Sequence, residues 1–125
     1  MARTVLITDA AESDMRSVGF DSTQSAHVLE LARRLSEFDN PEEMADMEIR
    51  ELAHFYEVRQ LLDAGGPLRN REAQLRFGLV ERDNGDIVVL QITDHAEQPD
   101  ALEMAVLEDR YSDYLSEKVA ARSLV

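Results

Sequence analysis

NPEEMADMEIRELAHFYEVRQLLDAGGP, residues 40–67, is the stretch on which the reading of this chain turns. Asn40 can cap free amides, Pro41 suits a first helical position, and Glu43 sits where a capping-box partner reaches back. Gly65-Gly66-Pro67 is a stop signal. Together these predict one helix over 41–64. At 100° per residue, Met44, Ala45, Ile49, Leu52, Phe55, Tyr56 and Leu62 cover about half of such a helix. One core contact needs less. The surplus predicts a second contact, with Met44, Leu52, Phe55 and Tyr56 as candidates for self-association in a homodimer. Glu48 and Arg59 fall inside the apolar arc, where an unpaired charge is costly. They lie about 16 Å apart along a helix axis, so they cannot pair within one helix.

The flanking segments supply the remaining elements. Upstream, the β-branched run Val5-Leu6-Ile7 predicts a strand over 4–8, and Ala10 to Gly19 lacks a clear period and reads as a loop or a short helical turn. Asp21 and Gln24 form a capping box ahead of Val28, Leu31, Leu35 and Phe38, which predicts a helix over 22–38. Downstream, Asn84-Gly85 suits a two-residue hairpin turn. Pairing Asp83 with Asp86 sets Leu79 opposite Leu90 and Phe77 opposite Ile92, which gives a hairpin over 75–93. Pro99-Asp100 opens a last helix over 100–122, and Ser123-Leu124-Val125 frays. The expectation is a single α+β domain over 1–125, with a small antiparallel sheet packed on one face by three helices.

Charge bounds the function. The chain carries 26 Asp and Glu against 13 Lys and Arg, a formal net charge of −13. Such a field repels nucleic acid and attracts basic surfaces. The acids cluster between Glu37 and Glu51, and again from Asp94 to Asp113, where Arg110 is the only basic residue. On the helical wheel Glu42, Glu43, Asp46 and Glu57 share one arc, which makes them the candidate contacts for a basic partner. The plain alternative is a solvated face, since acids favour the first turn of a helix. A lysine-poor, acid-rich surface also fits codon bias or a salt-adapted protein, because Lys118 is the only lysine.

Other chemistry is thinly represented. There is no cysteine, which excludes disulfides, thiolate metal sites and thiol nucleophiles. His27, His54 and His95 have no metal-ligand spacing. Gly65-Gly66 is no phosphate loop, and no serine sits in a nucleophile elbow. Ile7-Thr8-Asp9-Ala10-Ala11-Glu12 resembles Ile92-Thr93-Asp94-His95-Ala96-Glu97. Each reads as a strand running into an Asp-capped turn. The four carboxylates are the only constellation that could serve a carboxylate-dependent enzyme or hold a hard cation. Neither a signal sequence nor a membrane span is present over 1–9. The expectation is a cytoplasmic, non-enzymatic interaction protein without metal or cofactor. It would bind and regulate or inhibit a basic, nucleic-acid-handling protein as an anti-defence or immunity-type inhibitor does, without binding nucleic acid itself. The alternative is a self-associating accessory subunit.

Overall fold

A computed structural model of the chain describes residues 3–37, 48–62, 71–80, 85–94 and 99–124. Strand β1 (Val5–Thr8) runs directly into helix α1 (Asp9–Ser17), followed by α2 (Ser22–Arg34) and a 3-10 turn at Leu35–Glu37. Strands β2 (Glu48–Leu52), β3 (Phe55–Leu62), β4 (Arg71–Val80) and β5 (Asp86–Thr93) come next, then α3 (Ala101–Leu115) and β6 (Ala121–Ser123). The strands form one sheet in the order β2-β3-β4-β5-β1-β6. β1 and β5 are parallel, and the other neighbours are antiparallel. The fold is therefore α+β, with a six-stranded mixed sheet in place of the small antiparallel one expected. Helices cover both of its faces.

The largest correction falls on 41–64. Residues 48–62 are a β-hairpin and not a helix; residues 41–47 and 63–64 lie outside the described residues. Ile49 pairs with Val58, Arg50 with Glu57 and Leu52 with Phe55. What looked like a wide helical arc is a strand pair with apolar residues on both faces, a pattern that periodicity cannot separate from a buried helix. The same register makes Glu48 and Arg59 cross-strand partners, which no helix allowed. The turn Ala53-His54 carries no glycine or asparagine, and Ala53 takes φ 55° in the left-handed region.

Helix ends follow local chemistry. The capping box is present: Asp21 accepts from the Gln24 N–H at 2.7 Å and Gln24 accepts from the Asp21 N–H at 3.0 Å. α1, read from sequence as a loop or a short helical turn, is capped by Thr8 and not by Asp9; the Thr8 hydroxyl accepts from the Ala11 N–H and donates to the Val89 carbonyl. Val18, Gly19 and Phe20 close α1. Gly19 N–H reaches the Arg16 carbonyl and Phe20 N–H the Met15 carbonyl, with Gly19 at φ 77° and Phe20 buried. α3 is capped by Asp100 but ends at Leu115; Ala121 and Arg122, expected in that helix, and Ser123, expected to fray, form β6 beside β1.

The two cores are distinct. On one face Val5, Ile7, Val58, Leu75, Ile87, Val89 and Ile92 pack against Met15, Val28, Leu31 and Leu35 of α1, α2 and the following turn. On the other, Leu52, Phe55, Val88 and Leu90 pack against Leu107 of α3, with Leu6, Met104, Tyr111 and Tyr114 around them.

The β4–β5 hairpin exists, but its register is shifted from the expected one, by three residues on the turn side and by two from Arg76 onward. Leu79 pairs with Ile87 and Phe77 with Val89, and pairing resumes at Arg76↔Gln91. β5 is a central strand buried on both faces, so no wet face enforced the predicted pairing. Leu90 is the extra residue of a β-bulge. The bulge changes the alternation, so that Leu90 packs under α3, Gln91 bonds on that same side, and Ile92 joins the opposite core.

Candidate functional site

The face beneath α3 carries a polar row built across four strands. Arg50 on β2, Glu57 on β3, Arg76 on β4 and Gln91 on β5 are successive cross-strand partners. Arg50 Nε donates to Glu57 Oε1 at 2.8 Å, and Arg76 Nε donates to Glu57 Oε2 at 2.8 Å. Arg76 Nη1 donates to Gln91 Oε1 at 2.6 Å and to Glu103 Oε2 of α3 at 2.7 Å. Arg76 and Glu57 are both fully buried. A charge at such depth is tolerated only with partners this complete. The row thus ties the helix to the sheet through Glu103 and leaves Glu57 no outward surface.

A second arginine fixes the middle of α3. β1 stops pairing with β5 at Ile7↔Val89, so among the described residues no strand flanks the end of β5 on that side. The Leu90 carbonyl accepts instead from Arg110 Nη1 at 2.8 Å, and the Ile92 N–H donates to Asp14 Oδ2 at 3.1 Å. Arg110 and Asp14 close the arrangement with a two-pronged pair, at 2.7 and 3.2 Å. At the hairpin tip His54 Nε2 lies 3.1 Å from Glu108 Oε1 of α3, and its ring is tilted by 39° against Phe55 with centroids 4.1 Å apart. Phe55 in turn meets Tyr111 edge to face at 5.4 Å.

These contacts shape the outer surface of α3. Arg33, Arg50, Arg76, Arg110 and Arg122 each hold a carboxylate of this same chain. Arg110, the sole basic residue of α3, points inward. The helix therefore shows acid to solvent: Glu108 and Asp109 are exposed, Asp113 is half-exposed, and Glu117 is exposed in the turn that follows. Leu102 is 74 % and Leu115 39 % exposed among them.

The sequence-derived candidates are scattered by this fold. Glu42, Glu43, Asp46 and Met44 lie outside the described residues. The helical wheel that united them with Glu57 does not exist over 48–62, and Glu57 is interior. Leu52 and Phe55 are buried in the chain's own core under α3, and Tyr56 is half-buried against the opposite one. Glu12 pairs with Arg122 at 2.6 Å. The parallel β1 and β5 bring Asp9 and Asp94 to one end of the sheet, while Glu97 is outside the described residues. Among the described residues no three acids or histidines converge to hold a metal, and no helix is long and apolar enough to cross a membrane. Sequence reasoning missed the Arg50–Glu57–Arg76 row. Its available signal was opposite charge recurring inside otherwise apolar strands, which becomes visible only once the register is known. The chain matches no protein-family model, no curated protein and no solved structure.

Proposed function

We propose that this chain is an acidic interaction module that binds a basic protein and regulates or inhibits it, in the manner of an anti-defence or immunity-type inhibitor. The supporting observation is the turning inward of Arg110. It leaves Glu108, Asp109 and Asp113, with Leu102 and Leu115, as the outer surface of α3. A mixed acidic and apolar helix face suits a basic partner: charge steers the encounter, and exposed leucines supply area to bury. A blocker of this kind needs no catalytic group. Glu42, Glu43 and Asp46 are proposed as a second set of contacts, from the sequence.

The test is capture from nuclease-treated lysate on the immobilised chain at low and high salt. Wild type is compared with D109K/D113K and with E42K/E43K/D46K. The expected result is a stoichiometric basic protein that leaves as salt rises and binds about tenfold more weakly to D109K/D113K. Capture unaffected by either charge reversal, or no basic protein retained at low salt, overturns the reading.

A further inference from the structure

The outer edge of β6 and the groove beside it form a second feature on the α3 side of the sheet. Among the described residues β6 is the last strand of the sheet and pairs only with β1. Asp9 N–H bonds to the Ala120 carbonyl and Leu124 N–H to the Val5 carbonyl. In an antiparallel pair these bonds fix which residues face inward: Ala120, Arg122 and Leu124 address β1, so Ala121 and Ser123 turn their N–H and C=O groups outward. That edge carries no proline and no bulge, the usual devices that discourage further pairing.

Next to this edge lies a groove of about 250 Å³, lined by Leu6, Tyr114, Glu117, Val119 and Ala121. Ala121 pairs with Thr8 and Ser123 with Leu6, so these β6 side chains lie on the face that bears α3. Arg122 lies on the opposite face, where it holds Glu12 of α1. A strand added along β6 would place the side chain opposite Ala121 on the same face as Ala121 itself. That position opens into the groove. Its floor is aliphatic and aromatic, and the exposed Glu117 stands at its rim. A long side chain with an apolar stem and a cationic head fits this lining.

We infer that β6 is a docking edge for an extended segment of a basic partner, which adds a seventh strand and lays one lysine or arginine across Leu6 and Tyr114 to meet Glu117. This rests on the proposed binding of a basic protein and assigns the mode and place of contact. Charge decides the occupant: a second copy would bring another −13 to the same edge and set Glu117 near its own counterpart.

The probe is a capped pentapeptide with a central lysine between valines, titrated into the isotope-labelled full chain and followed by amide shifts; its glutamate counterpart is the control. The expected result is movement of the Ala121, Ser123 and Glu117 signals with the lysine peptide and none with the glutamate peptide. S123P removes an outward N–H and no bond to β1, and should weaken binding about tenfold or more. A121L should fill the groove to the same effect, while E117Q should weaken binding about threefold to fivefold. Thermal melts of each variant separate this from misfolding. Equal shifts with both peptides, shifts confined to other elements, or no shift at millimolar peptide overturn the inference. A dimer that S123P abolishes does so too, by giving the edge to a second copy. Retention of the captured protein by S123P and A121L, but not by D109K/D113K, sinks this docking mode and leaves the acidic-surface reading standing.

Discussion

Beneath α1 and α2 the sheet is closed by carbon against carbon: Val5, Ile7, Ile87 and Val89 meet Met15, Val28 and Leu31. Beneath α3 the closure is shared between a smaller apolar cluster and two arginine forks, Arg76 to Glu57 and Glu103, and Arg110 to Asp14 and Leu90. The first kind of contact is non-directional and tolerates repacking if volume is kept. The second holds one geometry and fails when a single partner is removed. The helix ends repeat the contrast. α1 closes on Gly19 with Phe20 buried beside Met15. α3 closes with the same pair of backbone bonds, Glu117 N–H to the Tyr114 carbonyl and Lys118 N–H to the Asp113 carbonyl, but puts Glu117 at φ 59° where glycine is usual. The apolar side is thus built by locally optimal choices. The α3 side keeps less favoured ones, next to the surface proposed to bind.

The sharpest way to break this comparison is at Arg76. R76M should lose about 3–5 kcal/mol in urea unfolding, because Glu57 then stays buried with Arg50 as its remaining named partner. Replacing Glu57 by leucine as well should recover much of that loss. A single variant that loses under about 1 kcal/mol would show that the row is ornamental to stability. A smaller effect is expected at Gly78, where an added Cβ would lie 2.9 Å from Tyr111 Cε1. G78A should destabilise by about 1–3 kcal/mol through displacement of α3, and Y111L should relieve it. An unchanged melt would mean that Tyr111 swings aside freely and α3 is loosely seated. The smallest and opposite effect is expected from E117G, which relaxes the left-handed residue and should raise stability by up to about 1 kcal/mol. The same variant should bind the lysine peptide less well, a separation of stability from binding that would place the strain at a functional edge.

What was legible from sequence divides along the range of the interactions. Asp21 with Gln24, Asp100 ahead of α3 and the run Val5-Leu6-Ile7 act over a few residues, and each marked its element correctly. Ala10 to Gly19 read as no more than a loop or a short helical turn, and the full helix was missed because its cap, Thr8, lies inside the preceding strand and only Ala11 and Met15 of α1 are buried. Residues 48–62 were misread because a hairpin apolar on both faces mimics a broad helical stripe, and because Ala53-His54 lacks turn chemistry. The register of β4 on β5 went astray because β5 is buried on both faces, so alternation could not fix the pairing, and the Leu90 bulge leaves no local mark.

The sequence by itself determined an α+β chain of high negative charge, its first strand, its capped second helix and the existence of its β4–β5 hairpin. All of these follow from contacts between near neighbours or from composition. Only the tertiary structure decided that β1 would lie parallel to β5, that Arg50, Glu57 and Arg76 would meet, and that Arg110 would turn inward to leave α3 acidic outside. Those outcomes depend on strand order and register, which are selected by packing across the whole sheet and are invisible to any window of a few residues.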